Sequence, residues 1–238
     1  MSNDADRDEI IRLILQRCEG RLRNRTRFKV LVWHATVLFA YLLKRSMDIV
    51  ISVLCLFVLS PLMLGVAMAI RLESEGPIFF HQTRIGMHGV PFRFHKFRSM
   101  RITAEKEKGK IMVQNESKDG VIFKMKADPR ITKVGRFIRK YSIDELPQLL
   151  NVLEGSMSLV GPRPPLPEEV KQYTLEDRRR LDVKPGITCI WQVTGRSEIP
   201  FREQVRLDED YIRSRGFWKD VIILLKTIPA VITGRGAY

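Results

Sequence analysis

The residues from Met47 to Ile70 constrain the fold of this chain more than any other segment, because they form an almost uninterrupted apolar run. The run is 24 residues long and contains a single charged residue, Asp48, near its start. As an α-helix it would extend ~36 Å, which is enough to cross a hydrocarbon core of about 30 Å. The simplest interpretation is a helix inserted into a membrane, and we call Met47–Ile70 the apolar segment.

Two features of the apolar segment favour a helix that enters and leaves on the same side of the membrane. Ser60-Pro61 lies in its middle, where proline removes one backbone donor and frees a carbonyl four residues back. The serine hydroxyl can reach a carbonyl three or four residues back, and such bonds bend helices. Lys44-Arg45 precedes the segment and Arg71 follows it, which favours a cytoplasmic position for both ends. We expect a re-entrant helix bent at Ser60-Pro61, with a plain transmembrane span as the alternative.

Residues 1–43 are predicted to form an N-terminal extension that lies on the membrane surface. A predicted helix over residues 1–20 carries an apolar face made of Ile10, Ile11, Ile14 and Cys18. A basic run follows, and after it a 14-residue apolar stretch, Val30–Leu43, that is short for a span. A basic flank beside a short apolar helix is typical of an interfacial helix on anionic headgroups.

The charge balance indicates an anionic partner. The chain has 41 Lys+Arg against 27 Asp+Glu, a formal net charge of +14. Nucleic acid, anionic lipid or a phosphorylated substrate would each satisfy this excess, and charge alone does not choose among them. The three cysteines fit no zinc-binding spacing, which favours a reduced cytoplasmic setting. The sequence also lacks a P-loop and the Gly-x-Gly-x-x-Gly, His-Glu-x-x-His and Gly-x-Ser-x-Gly patterns, so their enzyme classes are not indicated.

Residues 71–238 are predicted to form an α-rich α/β region. Short β-strand signals occur at Pro77–Phe80 and Pro91–Phe94, and the charged, weakly patterned residues 104–127 are predicted to form a mobile loop. Helical patterns occupy residues 134–153 with a break near Ser142, 201–213 and 218–228, whereas the Gly- and Pro-rich residues 155–200 are predicted to be loop-like. The last helix has an apolar face that fits a membrane surface or a protein core equally well: Trp218, Val221, Ile222, Leu225 and Ile228.

The adjacent carboxylates Asp144 and Glu145 are the main candidates for chemistry. Local pattern alone favours a structural role for them, since Asp144 is a good helix N-cap before Pro147 and Ser142-x-x-Glu145 matches a capping box. The two roles are compatible, because a carboxylate at a helix N-terminus is held anionic. An anionic, positioned carboxylate can attack phosphorus, and adjacent carboxylates can hold Mg²⁺ together with substrate phosphates.

Several cationic segments could bind phosphate near these carboxylates. Three of them set a cation on a stiff Pro or Gly turn: Gly161–Pro165, Lys184–Thr188 and Gln192–Arg196. Lys96 and Arg139 are further candidates, the latter just upstream of Asp144. Each segment alone is more often a surface turn, but their number beside a carboxylate pair favours phosphoryl transfer.

From about Leu43 onward the chain resembles the bacterial sugar transferases, the monotopic polyprenyl-phosphate phosphoglycosyl transferases. The resemblance rests on separate motifs that occur in the family's order: Lys44-Arg45 with Asp48, Ser60-Pro61, Lys96–Met100, Ser142–Gln148, Ser158–Pro164, Lys184–Thr188 and Gln192–Arg196. One departure is Cys189, where the family commonly has Gly. The ending at residues 234–238 also resembles the type that begins exopolysaccharide synthesis.

The resemblance implies roles for individual residues. Asp144 would be the nucleophile that takes the sugar phosphate covalently, with Glu145 as its partner and Mg²⁺ at the Asp144 carboxylate. The positions that the family uses around phosphate or nucleotide are Lys96, Arg139, Arg163 and Arg196. The membrane helix would be re-entrant and bent at Ser60-Pro61. The fold would combine this helix and interfacial amphipathic helices with a small cytoplasmic catalytic domain.

The resulting expectation is an enzyme on the cytoplasmic face of a bacterial inner membrane. It would move a hexose 1-phosphate from a UDP-sugar to undecaprenyl phosphate and release UMP, without binding nucleic acid. The N-terminal extension would occupy residues 1–43 and the transferase domain residues 44–238, and the resemblance leaves a homodimer open. A non-enzymatic basic protein of membranes or nucleic acids is the main alternative, and a glycosyltransferase that releases UDP is the second.

Overall fold

The computed structural model of the protein describes residues 3–111, 125, 127–234 and 236, with side chains from Thr26 onward apart from those of residues 108, 110 and 111. It divides into two compact units, Met1–Lys44 and Arg45–Tyr238. Helices dominate the described residues, and the strands form two small two-stranded sheets. This agrees with the α-rich α/β class that the sequence predicts.

The first helix, α1, runs from Asn3 to Glu73 and contains the whole apolar segment. Among the described residues, Thr26–Glu73 is the one helical stretch long and apolar enough to cross a membrane. The predicted apolar face at Ile10, Ile11, Ile14 and Cys18 lies outside the described side chains. The Ser60 hydroxyl donates to the Phe57 carbonyl at 2.8 Å, as the sequence predicts. This bond partners the carbonyl that Pro61 leaves without its helical donor, so the helix continues through proline.

The remaining elements lie in the second unit. The antiparallel sheet consists of β1 (Phe79–Ile85) and β2 (Pro91–Phe97), and the parallel sheet of β3 (Ser158–Val160) and β4 (Gly186–Thr188). The helices after α1 are α2 (Ala104–Ile111), α3 (Lys133–Lys140), α4 (Gln148–Glu154), α5 (Pro167–Lys171), α6 (Ile190–Thr194), α7 (Phe201–Ser214) and α8 (Phe217–Thr233). One 3₁₀ turn, Ile143–Glu145, joins α3 to α4, and we call it the carboxylate turn.

Several of the secondary-structure elements predicted from local sequence pattern are present in the structure. Both strand signals are confirmed, and so are the break near Ser142 and the last two helices. The loop predicted over residues 104–127 is wrong at its start, because α2 forms there: Glu105 and Glu107 lie in its first turn, where the helix dipole favours them. Residues 112–124 and 126 of that loop lie outside the described part.

The loop predicted over residues 155–200 is also wrong in part, since it contains β3, β4 and two short helices. The backbones of Gly161 and Gly186 touch at the end of the parallel pair. A β-carbon on Gly186 would lie 2.1 Å from the Gly161 nitrogen, so a side chain is excluded there. The Gly161 amide donates to the Thr188 carbonyl at 3.0 Å, and the Gly186 amide to the Pro162 carbonyl at 2.9 Å. Long-range contact of this kind leaves no periodic pattern in the sequence.

Two polar side chains hold the start of the apolar segment against the rest of the second unit. The Arg45 guanidinium donates to the carbonyls of Val152 and Leu153 at 2.6 and 2.8 Å, at the C-terminus of α4. The Val152 carbonyl also accepts from the Gly155 amide at 3.1 Å. A cation is favourable here because it lies at the negative end of the helix dipole. The Asp48 carboxylate, 3% exposed, accepts from the Leu159 amide of β3 at 3.1 Å. Arg45 and Asp48 therefore act as protein contacts and not only as flanking charges.

The end of the apolar segment is fastened to the same unit. Arg98, in the loop after β2, donates to the carbonyls of Ser74 and Glu75 at 2.7 Å each. The Glu73 carboxylate accepts from the Lys133 amide at 2.7 Å, at the N-terminus of α3. Negative charge is favourable at that helix end. Both ends of the apolar segment thus bind the one folded unit.

Between these ends, one face of the apolar segment packs against the unit and the other is exposed. Ile51, Cys55 and Leu56 contact the larger core cluster, which joins β2, α4, β3, α7 and α8 through Phe94, Leu149, Val152, Met157, Leu159, Val160, Tyr211 and Ile223. A second cluster consists of Val66, Ile70, Phe97 and Ile138. The exposed face of the apolar segment carries large apolar side chains: Val50, Val53, Leu54, Phe57, Val58, Leu64 and Met68.

The predicted apolar face of α8 is exposed and does not enter the core. Its exposed side chains are Trp218, Ile222, Leu225, Ile228 and Ile232. A different side of the helix, with Asp220 and Ile223, is buried. Of the two alternatives for this face, the structure excludes packing in the core of the described unit. Exposed strips of large apolar side chains are typical of surfaces that contact a partner or a membrane.

Candidate active site

The carboxylate turn holds Asp144 at the centre of the second unit. Asp144 is only 2% exposed, although it follows a surface helix by a few residues. Ser142, directly before the turn, has φ 53°, in the left-handed region that non-glycine residues rarely adopt. Backbone strain of this kind is concentrated at functional sites, where the surrounding structure maintains it.

The capping roles predicted from local pattern are wrong. The residue at the N-cap of α4 is Pro147, and no side chain caps that helix. Asp144 lies inside the 3₁₀ turn, and the Ser142 side chain makes no capping bond. Pro147 lacks an amide hydrogen and has φ −61°, so it can begin α4 without a side-chain acceptor. The burial of Asp144 therefore has no helix-capping explanation.

Lys96 provides the positive charge nearest to Asp144. It lies on β2 opposite Phe80, and its ammonium nitrogen is 2.6 Å from Asp144 Oδ2. The contact is an ion pair without good hydrogen-bond geometry, since Oδ2 has no directed donor among the described residues. Lys96, predicted as a phosphate ligand, is thus placed at the carboxylate itself. A substrate phosphate that reached Asp144 would meet Lys96 as well.

Glu145 lies within the electrostatic field of several predicted site residues. Burial raises its pKa above the ordinary range, and repulsion from Asp144 adds to this, while Lys96, Arg163 and Arg196 oppose it. A raised pKa means that Glu145 keeps its proton to higher pH than a free carboxyl group. A carboxyl group with a raised pKa can act as a proton donor or acceptor beside a substrate. The charges of Lys96, Arg163 and Arg196 therefore all act on the carboxylate turn.

Arg196 presents a donor with no partner to this site. Its Nη1 atom is buried and has no hydrogen-bond partner among the described residues. Burial lowers the pKa of its guanidinium, and Glu145 opposes this shift. Arg196 is also in the left-handed region, with φ 50°. Gly236 supports this strained loop, since its carbonyl accepts from the Ser197 amide at 3.3 Å.

Arg163 and Arg139 occupy different positions relative to the carboxylate turn. Arg163 is exposed on the loop from Gly161 to Pro165, which we call the Arg163 loop, and its charge reaches Glu145. Arg139 lies in the last turn of α3, just before Ser142, and its charge acts on Asp128. The structure thus brings Arg163 to the carboxylates and leaves the role of Arg139 a prediction.

Lys184 does not join the site, contrary to the phosphate-binding interpretation of its segment. It lies beside Gly155, at the C-terminal end of α4, where Arg45 also lies. Asp144 precedes the opposite end of that helix, and the seven residues of α4 separate the two ends by ~10 Å. Pro185 and Gly186 of this segment instead pack against Gly161.

Two residues that the sequence did not single out belong to the site or support it. Gln148 is 2% exposed, and its Nε2 atom has no hydrogen-bond partner among the described residues. It lies four positions after Asp144, a spacing that could have indicated a shared face. Arg84 is 8% exposed on β1 and lies within the field of Glu145 and Arg163. Nothing in its local pattern distinguishes it from a surface arginine.

The donor set fits a magnesium ion that arrives with a phosphorylated substrate. Among the described residues, no group of three or more His, Cys, Asp or Glu side chains could hold a metal alone. Mg²⁺ ordinarily uses one or two carboxylates together with waters and substrate phosphates. Asp144 and Glu145 supply such carboxylates, and the Lys96 ammonium shows that Asp144 already accepts a cation.

Comparison with known proteins identifies a family that this chain matches. Residues 39–234 match the family described as bacterial sugar transferase. A galactosyl transferase, CpsE, from Streptococcus agalactiae is 47% identical over 195 residues, which are 82% of this chain and 43% of that protein. An undecaprenyl-phosphate galactose phosphotransferase from Salmonella typhimurium is 43% identical over 82% of this chain and 42% of its own length.

A third relative has a length closer to that of this chain. The exopolysaccharide production protein ExoY from Sinorhizobium fredii is 40% identical over 82% of this chain and 88% of its own length. The chain therefore spans less than half of the first two relatives and most of the third.

Proposed function

The chain belongs to the bacterial sugar transferase family, and from this premise we propose that it transfers a hexose 1-phosphate from a UDP-sugar to undecaprenyl phosphate. The observation that carries the proposal is the buried Asp144 carboxylate, held 2.6 Å from the Lys96 ammonium without a capping role. The orphaned Nη1 of Arg196 and Nε2 of Gln148 support it, because buried donors without partners are costly unless a ligand satisfies them.

The reaction proceeds in two displacements at the β-phosphorus of the donor. An oxygen of the Asp144 carboxylate attacks this phosphorus, the bond to the oxygen that bridges the two phosphates breaks, and UMP leaves. A phosphate oxygen of undecaprenyl phosphate then attacks the same phosphorus and regenerates the carboxylate. Lys96, Arg163 and Arg196 stabilise the charge on the transferred phosphoryl group. Glu145, with its raised pKa, can exchange a proton beside the reacting phosphate.

Asp144 is the residue that would hold Mg²⁺ together with the diphosphate of the donor. When bound, the ion would neutralise phosphate charge and make UMP a better leaving group.

The names of the relatives support a hexose donor. Two of the three name galactose or galactosyl transfer, and the third names exopolysaccharide production. UDP-galactose is therefore our first choice, and UDP-glucose the second. The product would serve as the first lipid-linked sugar of an exopolysaccharide or another surface glycan.

We further propose that the apolar segment is re-entrant and that the protein lies on the cytoplasmic face of the inner membrane. Asp48 and Ile70 are separated by ~33 Å along a straight helix, yet the residues around both bind the same folded unit. If the apolar segment crossed the bilayer, polar groups of this unit would lie in the hydrocarbon core, which carries a large free-energy cost. The exposed apolar strip of α8 supports an interfacial helix, and the net charge of +14 fits contact with anionic lipid.

The nucleotide product separates the proposed reaction from its alternatives. The purified protein with UDP-galactose, Mg²⁺ and undecaprenyl phosphate should release UMP, and removal of Mg²⁺ with EDTA should stop the release. Chromatography of the nucleotides measures the result. Release of UDP would identify a glycosyltransferase that leaves the phosphate behind. No nucleotide from any UDP-sugar, together with salt-sensitive RNA binding, would favour the non-enzymatic alternative.

Cysteine labelling tests the re-entrant topology. In a background with the native cysteines replaced by alanine, cysteines at Ser46 and at Arg101 should both resist a membrane-impermeant thiol reagent in intact cells. Both should react after the membrane is permeabilised, which is the control for accessibility. Labelling of the Ser46 position alone in intact cells would establish a single span and contradict the re-entrant helix.

A further inference from the structure

The side chain of Arg84 is a buried cation that the proposed reaction does not yet use. It is 8% exposed on β1, and its guanidinium carbon lies 5.3 Å from the centre of the Phe94 ring. Among the described residues, Arg84 donates hydrogen bonds to neutral groups, the Pro164 carbonyl at 3.0 Å and the Gln82 side chain at 3.1 Å. A buried guanidinium ordinarily pairs with a carboxylate, because an uncompensated buried charge is expensive.

The bonds of Arg84 end on the Arg163 loop. Arg84 Nη1 holds the Pro164 carbonyl, and the neighbouring Ile85 amide holds the Pro165 carbonyl at 3.0 Å. At the other end of the loop, Gly161 is locked against β4. Both ends are therefore fixed, and Arg163 is the exposed residue between them.

The charge of Arg84 also acts on the site. Burial lowers the pKa of its guanidinium to about 10, and the nearby positive charge of Arg163 adds to this, while Glu169 and Glu145 oppose it. At neutral pH Arg84 is still a cation. It repels Arg163, so a phosphate bound by Arg163 would relieve the repulsion between the two guanidinium groups.

We propose that Arg84 is a positioning residue that sets the Arg163 loop so that the Arg163 guanidinium meets the diphosphate of the donor. The proposal rests on the proposed function, since it assigns Arg163 to the nucleotide-sugar. Arg84 acts through the loop and not by its own contact with substrate. Removing Arg84 should therefore weaken binding of the nucleotide-sugar by no more than removing Arg163 does.

A double-mutant cycle in UMP release tests this coupling. Arg84→Met and Arg163→Ala should each raise the KM for the UDP-sugar by roughly tenfold, with a smaller change in kcat. The Arg84→Met/Arg163→Ala protein should have a KM within about twofold of Arg163→Ala alone, because the loop position no longer matters once Arg163 is gone. Arg93→Met, which removes an exposed cation from β2 of the same hairpin, should leave KM unchanged.

The outcomes separate this inference from the proposed function. If the two single effects multiply in the double variant, Arg84 acts independently of Arg163 and the inference is wrong. If the wild type releases no UMP, the proposed function fails instead. Should Arg84→Met not fold, as judged by circular dichroism, Arg84→Lys serves in its place: it keeps the charge but lacks the forked donors. A KM unchanged in a folded Arg84→Lys protein would also overturn the inference.

Discussion

Replacing Asp144 by asparagine is expected to lower the rate of UMP release by roughly 10³-fold or more, because a neutral amide is a poor nucleophile toward phosphorus. Asparagine has nearly the same size as aspartate, and Asp144 caps no helix, so the fold should persist. Asparagine would also cap a helix nearly as well as aspartate, so the ion pair with Lys96 is the local contact whose loss could lower stability. The measurements are the initial rate of UMP release and the thermal unfolding midpoint.

The covalent intermediate gives a second readout of the same substitution. The wild type, incubated with UDP-sugar and Mg²⁺ but without lipid acceptor, should gain the mass of one sugar phosphate on the peptide that contains Asp144. The Asp144→Asn protein should gain nothing. Near-normal turnover by the variant, or an adduct mapped to another residue, would contradict the two-displacement mechanism. Asp210→Asn, at an exposed aspartate of α7, is a matched control that should leave both readouts unchanged.

The sequence predicted the candidate site residues better than it predicted their contacts. Lys96 and Asp144 were both candidates, but their ion pair joins residues 48 positions apart and depends on how β2 lies against the carboxylate turn. Periodicity describes neighbours along one element and contains no information on such pairing. The pair could therefore be known only from the folded chain.

Local pattern also predicted a capping box that the chain does not form. Ser142 and Glu145 have the spacing of such a box, but Pro147 begins α4 without help from a side chain. The 3₁₀ turn then leaves Ser142 in a left-handed conformation that no propensity favours. Local pattern also did not predict the contacts of Arg45 and Asp48. They were predicted as charges near a membrane, whereas each binds backbone more than 100 positions away in the sequence.

Replacing Lys96 by methionine is the second change for which we expect a large effect. Asp144, 2% exposed, would lose the cation 2.6 Å from its Oδ2 atom. Removing one partner of a buried pair leaves an uncompensated charge, and the loss here should be about 1–3 kcal/mol of unfolding free energy, because water partly reaches Lys96. The rate of UMP release should fall by roughly 10²–10³-fold, as when a preorganised donor is removed from a reacting centre. Lys171→Met, at an exposed lysine of α5, controls for the loss of positive charge.

The two possible roles of Lys96 differ in which kinetic constant changes. If Lys96 serves mainly to hold the Asp144 carboxylate, as the 2.6 Å contact indicates, the fall should appear in kcat while the KM for the UDP-sugar changes little. A rise in KM with kcat preserved would assign Lys96 to substrate phosphate instead. The unfolding free energy tests the structural contribution of the Lys96–Asp144 ion pair independently of either kinetic role. In the Lys96→Met background, Asp144→Asn should restore the unfolding free energy, because the buried charge that lost its partner is then gone. A double variant less stable than either single variant would show that the Lys96–Asp144 pair is not what the methionine disrupts.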